Sequence, residues 1–93
     1  MPTLKLLIKY PETLKEIVRS CLEKNKVDFE KLNKITQRFR QYYIFNYSEI
    51  LGEQGFNVEI TAPKLNAKKI IKSFYKYSKV FKECEINEIT SEA

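Results

Sequence analysis

Apolar side chains recur at helical spacing near the C-terminal end of the chain, between residues 67 and 81. Asn66 is a residue type that caps helix N-termini, and it follows a turn at Pro63, so the spacing predicts a helix over 67–81. At roughly 100° per residue, six of its side chains share one face, which must be buried against the rest of the chain. They are Ala67, Ile70, Ile71, Phe74, Tyr77 and Phe81.

The opposite face of this helix carries a dense positive charge. From Lys64 to Lys82 the sequence has seven lysines and no acidic residue. Ammonium groups at this spacing can bind phosphates, and an aromatic ring among them can stack on a base. The predicted nucleic-acid contacts are Lys68, Lys69, Lys72, Tyr75, Lys76 and Lys79, with Arg38 and Arg40 as auxiliaries. The alternative is a solvated helix face on which Tyr75 lies along lysine stems.

The charge is distributed unevenly along the chain, whose net charge is +5. Fourteen of the seventeen basic residues are lysine, which has A+T-rich codons, so part of the charge can reflect genome composition. Residues 1–63 nevertheless carry +2, residues 64–82 carry +7, and residues 83–93 carry −4. Codon bias explains such segregation poorly, and the pattern favours a positive surface.

The first half of the chain predicts one strand followed by two helices. Residues 3–9 alternate between apolar and polar side chains, which indicates a strand with one buried face, although leucine and lysine also suit a short helix. Pro11 fits the first position of a helix that ends in the polar run 23–26. Asp28 is a candidate cap for a longer second helix, which Gly52 would close.

Residues 41–47, QYYIFNY, can be interpreted in two ways. Their aromatic and β-branched side chains favour a strand, whereas both flanks favour a helix, and we predict that the second helix continues to about Leu51. Such a helix is apolar on several sides, so its aromatic residues belong either to the core or to a contact surface for another chain. The candidate interface consists of Phe39, Tyr42, Tyr43, Phe45 and Tyr47.

Two further strands complete the set of predicted elements. Val58 and Ile60 alternate with polar neighbours over 57–61, after a turn that contains Gly52 and Gly55. Apolar and polar residues alternate again at 84–87, before a frayed tail at 90–93.

The order β-α-α-β-α-β predicts one α+β domain over residues 1–93, with a three-stranded sheet and helices packed on one face. If the strands within 56–89 are parallel neighbours, the connection between them should be right-handed. An all-α bundle is the alternative, if residues 4–9 are helical and the last strand is only tail.

The sequence carries no motif that fixes a chemistry. It has no histidine, the usual general base, and its two glycines form no phosphate-cradling loop. Cys21 and Cys84 lie far apart, which favours reduced thiols, and Glu49 with Glu53 is a weak indication of a metal site. We therefore expect no enzymatic activity, no catalytic residues, no metal and no cofactor.

The composition, 43% hydrophobic and 31% charged, is typical of globular domains. No apolar run approaches the roughly 20 residues of a membrane span, and the N-terminus does not resemble a signal peptide, so we expect a cytoplasmic protein without membrane contact. No zinc-finger, RRM, KH or basic-zipper pattern occurs. The expected partner is DNA or RNA, bound without sequence specificity, or an acidic protein surface, and the aromatic interface would allow a homo- or hetero-oligomer.

Overall fold

The computed structural model describes residues 2–32, 44–62 and 65–89, without the side chains of residues 25–32. Within these ranges the chain forms four strands and two α-helices. They are β1 (Thr3–Lys9), α1 (Lys15–Leu32), β2 (Ile44–Glu49), β3 (Gly55–Thr61), α2 (Ala67–Tyr77) and β4 (Glu85–Glu88). Short 3₁₀ helices precede α1 at Glu12–Leu14 and follow α2 at Lys79–Glu83.

These elements confirm an α+β fold, and the sheet excludes the all-α alternative. The sheet has four strands rather than the expected three, in the order β2-β3-β1-β4, and every neighbouring pair is antiparallel. The strands on either side of α2 are therefore parallel but not neighbours, because β1 lies between β3 and β4. Across the described residues this is the connectivity of the split βαβ, or ferredoxin-like, arrangement.

One face of the sheet forms the core together with the helices. Leu4, Leu6 and Ile8 of β1 are buried, whereas the residues between them are exposed or half-buried. This period of two places alternate side chains on opposite sides of the sheet. The helices complete the core with side chains that are fully shielded from solvent. They are Val18 and Leu22 of α1, Ile70 and Phe74 of α2, and Phe81 of the following 3₁₀ helix.

The prediction of a helix through residues 44–49 is wrong, since this segment is strand β2. Its register pairs Ile44 with Thr61 and Glu49 with Phe56, and a four-residue turn closes the hairpin with a 3.0 Å bond from Ile50 N to the Gly55 carbonyl. Gly52 lies in this turn with φ 79°, a conformation that glycine adopts without strain, and does not cap a helix. Strand propensity and pairing with β3 outweigh the helical flanks.

The predicted break between the first and second helices does not occur. Helix α1 continues through the polar run 23–26 and past Asp28 to Leu32. Glutamate and lysine are good helix formers, and no glycine or proline interrupts the run, so the end of the apolar stripe is not the end of the helix. The remainder of the predicted second helix, residues 33–43, lies outside the described residues.

The other predicted elements are confirmed with small changes in their bounds. Strand β1 has the predicted limits, and β3 starts two residues earlier than expected, at Gly55. Helix α2 begins at Ala67 as predicted but ends at Tyr77 rather than Phe81. Ser78 is extended, and its hydroxyl accepts a hydrogen bond from Val80 N at 3.3 Å, which ends the helix and starts the 3₁₀ turn.

Two adjacent residues of β2 test this register. Phe45 is 4% exposed, whereas Ile44, on the other side of the strand, is 51% exposed. We expect Phe45→Ala to lower the free energy of unfolding by about 3–5 kcal/mol, because it leaves a cavity in the core. Ile44→Ala should change it by no more than about 0.5 kcal/mol. Urea unfolding followed by circular dichroism measures both values.

Equal, small effects of the two substitutions would contradict a core position for Phe45. If the alanine variant does not fold, Phe45→Leu gives a milder form of the same comparison.

Candidate nucleic-acid interface

Helix α2 carries most of the predicted nucleic-acid contacts, and its position is set at both ends. Asn66 caps the helix as predicted, since its Oδ1 accepts a hydrogen bond from Lys69 N at 3.1 Å. Phe74 packs edge-on against Phe81, with ring centroids 5.4 Å apart. It also lies 6.4 Å from the ring of Phe45 on β2. These contacts fix the side of α2 that faces the sheet.

The outward side of α2 presents four exposed lysines, which we call the lysine face. Its members are Lys68, Lys69, Lys72 and Lys76. Three of them are spaced four residues apart, so each lies about 6 Å further along the axis and the row extends about 12 Å. Within the described ranges, none of the four ammonium groups forms an ion pair. The sequence predicted this grouping, and the structure places all four side chains in solvent.

Lys15 and Arg19 of α1 differ from the lysine face because carboxylates neutralise them. Lys15 Nζ lies 2.5 Å from Glu49 at the end of β2, and Arg19 bridges Glu49 at 3.0 Å and Glu16 at 3.2 Å. The hydrogen bond from Lys15 holds the pKa of Glu49 below its ordinary value and raises the pKa of Lys15. This network joins α1 to the edge strand. Glu49 is the last residue of β2 and Glu53 lies in the hairpin turn, so the two do not form the helical pair that was a weak indication of a metal site.

Two more exposed lysines follow α2. Lys79 and Lys82 belong to the 3₁₀ helix, which starts after the extended residue Ser78, so they do not continue the helical row. The acidic segment begins directly afterwards. Its residue Glu85 lies opposite Lys9 on the sheet face that the helices leave open. In the described residues the positive surface is thus centred on α2.

Tyr75 does not stand among the lysines as an exposed ring. It is half-buried against the core, at the border between the buried side of α2 and the lysine face. Its hydroxyl accepts a hydrogen bond from Ile86 N at 3.3 Å and lies 3.5 Å from the Cys84 carbonyl oxygen. The side chain therefore ties α2 to the start of β4, a role that helical spacing alone did not indicate.

The candidate aromatic interface is only partly described. Phe45 belongs to the core, one of the two alternatives predicted for these aromatic residues, and so is not part of a contact surface. Tyr47 is half-buried, packs edge-on against Phe56, and donates a hydrogen bond to the Glu23 carboxylate, which raises the pKa of Tyr47. Its remaining members, Phe39, Tyr42 and Tyr43, lie outside the described residues together with Arg38 and Arg40.

The remaining reactive groups are distributed through the fold without forming a second cluster. Both cysteines are free, and burial raises the pKa of the Cys84 thiol to about 11, which keeps it protonated at neutral pH. Within the described ranges no group of three or more histidine, cysteine or acidic side chains could hold a metal ion. The lysine face is thus the arrangement with the clearest chemistry, the binding of anions by unpaired ammonium groups.

Comparisons with known proteins add no family, since no protein-family model, no curated protein and no solved structure matches the chain. Among the described residues, no helix has both the length and the apolar character required to cross a membrane.

The Glu49 ion pairs generate a prediction about pH. Because the pKa of Glu49 is lowered in the folded state, its stabilising effect is present above its ordinary value of 4.5 and is lost as the pH falls through the lowered value. We expect Glu49→Gln to reduce the free energy of unfolding at neutral pH and to have little effect at strongly acidic pH. Urea unfolding at a series of pH values measures the difference.

Glu53→Gln is the matched control, because Glu53 is exposed in the adjacent turn and forms no ion pair with any described residue. An equal effect of the two variants, or an effect of Glu49→Gln that does not change with pH, would exclude a contribution from the ion pairs.

Proposed function

We propose that this chain is a non-enzymatic nucleic-acid-binding module whose lysine face contacts the phosphates of DNA or RNA. The observation that supports the proposal is that the lysine face holds four exposed ammonium groups on one side of α2, none of which forms an ion pair with a described residue, in contrast to Lys15 and Arg19 of α1. A row of free ammonium groups about 12 Å long releases counterions from a polyanion on contact. That release is the main source of sequence-independent affinity for nucleic acids.

The placement of these lysines works against the stability of α2 itself. Lys68 and Lys69 occupy the first turn, where the helix dipole favours acidic residues, and that turn contains none. Like charges four residues apart, as in Lys68 with Lys72, destabilise a helix by about 0.2–0.5 kcal/mol per pair. A bound anion would interact favourably with the helix dipole and would reduce the repulsion between the lysines. A surface selected only for solubility gains nothing from concentrating them on one helix.

The residue type favours phosphate contacts over base recognition. Specific recognition of guanine most often uses the planar, two-pronged guanidinium of arginine, whereas lysine presents a single flexible ammonium group. Helix α2, Ala67–Tyr77, contains no arginine, asparagine or glutamine. Binding should therefore depend on charge and salt, and should vary little with base sequence.

The experiment that tests this function is fluorescence anisotropy with labelled DNA and RNA over a range of salt concentrations. We expect the double variant Lys68→Gln with Lys72→Gln to weaken binding to every sequence and to reduce the salt slope of log K by about 2, since each lysine contributes about one phosphate contact. Its fold should be retained, because both side chains are exposed and their removal relieves repulsion within the helix.

The matched control removes the same charge from the opposite side of the sheet. Lys5 and Lys9 are exposed on the face that the helices leave open, so Lys5→Gln with Lys9→Gln should leave the salt slope unchanged. Equal losses in the two double variants would indicate a response to net charge alone. No binding of the unmodified protein at low salt would refute the proposed function.

A further inference from the structure

We infer that the lysine face binds double-stranded nucleic acid in preference to single strands, by phosphate contacts and without base stacking. This inference rests on the proposed function and specifies the ligand of the same site. It follows from two properties of the described surface, which are the burial of its aromatic rings and the spacing of its charges.

The first property is that the described surface offers no exposed aromatic ring. Proteins that bind single strands combine a basic groove with aromatic side chains on which successive bases stack. Each aromatic residue whose side chain the structure describes is buried or half-buried. They are Tyr10, Phe45, Tyr47, Phe56, Phe74, Tyr75, Tyr77 and Phe81.

Tyr75 is the aromatic residue nearest in sequence to the lysines, and its hydroxyl is already engaged. It accepts the backbone N–H of Ile86 at 3.3 Å, so turning the ring outward would leave that donor without its partner. The ring also packs against the core. Both contacts oppose its use as a stacking surface.

The open face of the sheet is a second place where bases could stack, and it is equally unsuited to stacking. Sheets that bind single-stranded RNA do so through aromatic side chains on their central strands. Here the corresponding positions of β1 and β3 include Lys5, Leu7, Asn57 and Glu59, which lie opposite one another in register. A leucine and polar side chains cannot replace an aromatic platform.

The second property is the density of charge on the lysine face. A duplex carries one phosphate per roughly 1.7 Å of axis, against roughly 3.4 Å along one strand. Each lysine contact on a duplex therefore releases more counterions, about 0.9 per contact against about 0.7 on a single strand. For four lysines at roughly 0.1 M salt, relative to 1 M, this difference is about 0.8 in log K, which is roughly a sixfold gain in affinity. Electrostatics alone thus favours the duplex.

The test compares a labelled DNA duplex and an RNA duplex with unstructured single strands of equal length, by anisotropy at several salt concentrations. We expect the unmodified protein to bind the duplexes roughly sixfold more tightly and with a steeper salt slope. The Lys68→Gln with Lys72→Gln variant removes half of the lysine face and should reduce this preference to roughly 2.5-fold.

A second variant tests the tyrosine. Tyr75→Leu should leave the affinity for single strands unchanged, whereas a stacking ring would contribute roughly fivefold or more. The comparison of duplex and single strand with the unmodified protein decides the question if this variant does not fold.

The outcomes separate the inference from the function on which it rests. Equal or tighter binding of single strands, or a clear loss with folded Tyr75→Leu, would overturn the duplex preference and leave nucleic-acid binding intact. A duplex preference that is unchanged in the lysine variant would assign binding to another surface and overturn the inference. No binding of any nucleic acid at low salt would overturn both.

Discussion

The packing of Phe74 against Phe81 and Phe45 is the contact on which the rest of the arrangement depends. It joins α2, the following 3₁₀ helix and the edge strand β2, and Phe74 has no exposed surface. Burying Phe74 together with Ile70 fixes the rotation of α2 about its axis. Since each residue turns the helix by about 100°, Lys68, Lys72 and Lys76 must then face outward. The orientation of the charged face is thus a consequence of apolar packing.

The sequence predicted those elements whose conformation is determined by their own residues, and failed where the conformation depends on pairing with a distant segment. β1 and β3 alternate between apolar and polar residues, and α2 has both a cap and a helical period, so the type of these elements was predicted, with the exact bounds for β1 and bounds within four residues for the other two. The strand β2 was not predicted, because Phe45 and Tyr47 suit either a strand or a buried helix. Its conformation is decided by pairing with β3, whose residues lie beyond the turn. The missing fourth strand and the wrong order of elements along the chain both follow from that one ambiguity.

In the candidate site as well, features set by nearby residues were predicted and features set by distant residues were not. The exposure of four lysines on one side of α2 was predicted, because side chains at helical spacing need no distant partner to define their face, whereas Lys79 was wrongly placed on the same helix. The burial of Tyr75 was not predicted, because Tyr75 lies at the border of the two helix faces, where helical spacing does not decide between burial and exposure. Its hydroxyl binds the backbone of β4, eleven residues further along the chain, and only the folded sheet brings that N–H within reach. The Glu49 network likewise requires α1 and β2 to meet.

The fold orders the lysine face only in part, and this limits how tightly one copy can bind. The core fixes the spacing at which the lysines leave the helix, but each ammonium group ends a flexible stem that carries about 2 kcal/mol of rotamer entropy. Contacts of this kind give non-specific dissociation constants of about 10⁻⁴–10⁻⁶ M at physiological salt. A long duplex offers many equivalent phosphates, and linking several such faces on one ligand raises the overall affinity far above that of one face. Under the proposed function, we therefore expect several copies to act together on an extended polyanion, and we do not expect one copy to bind tightly at a single site.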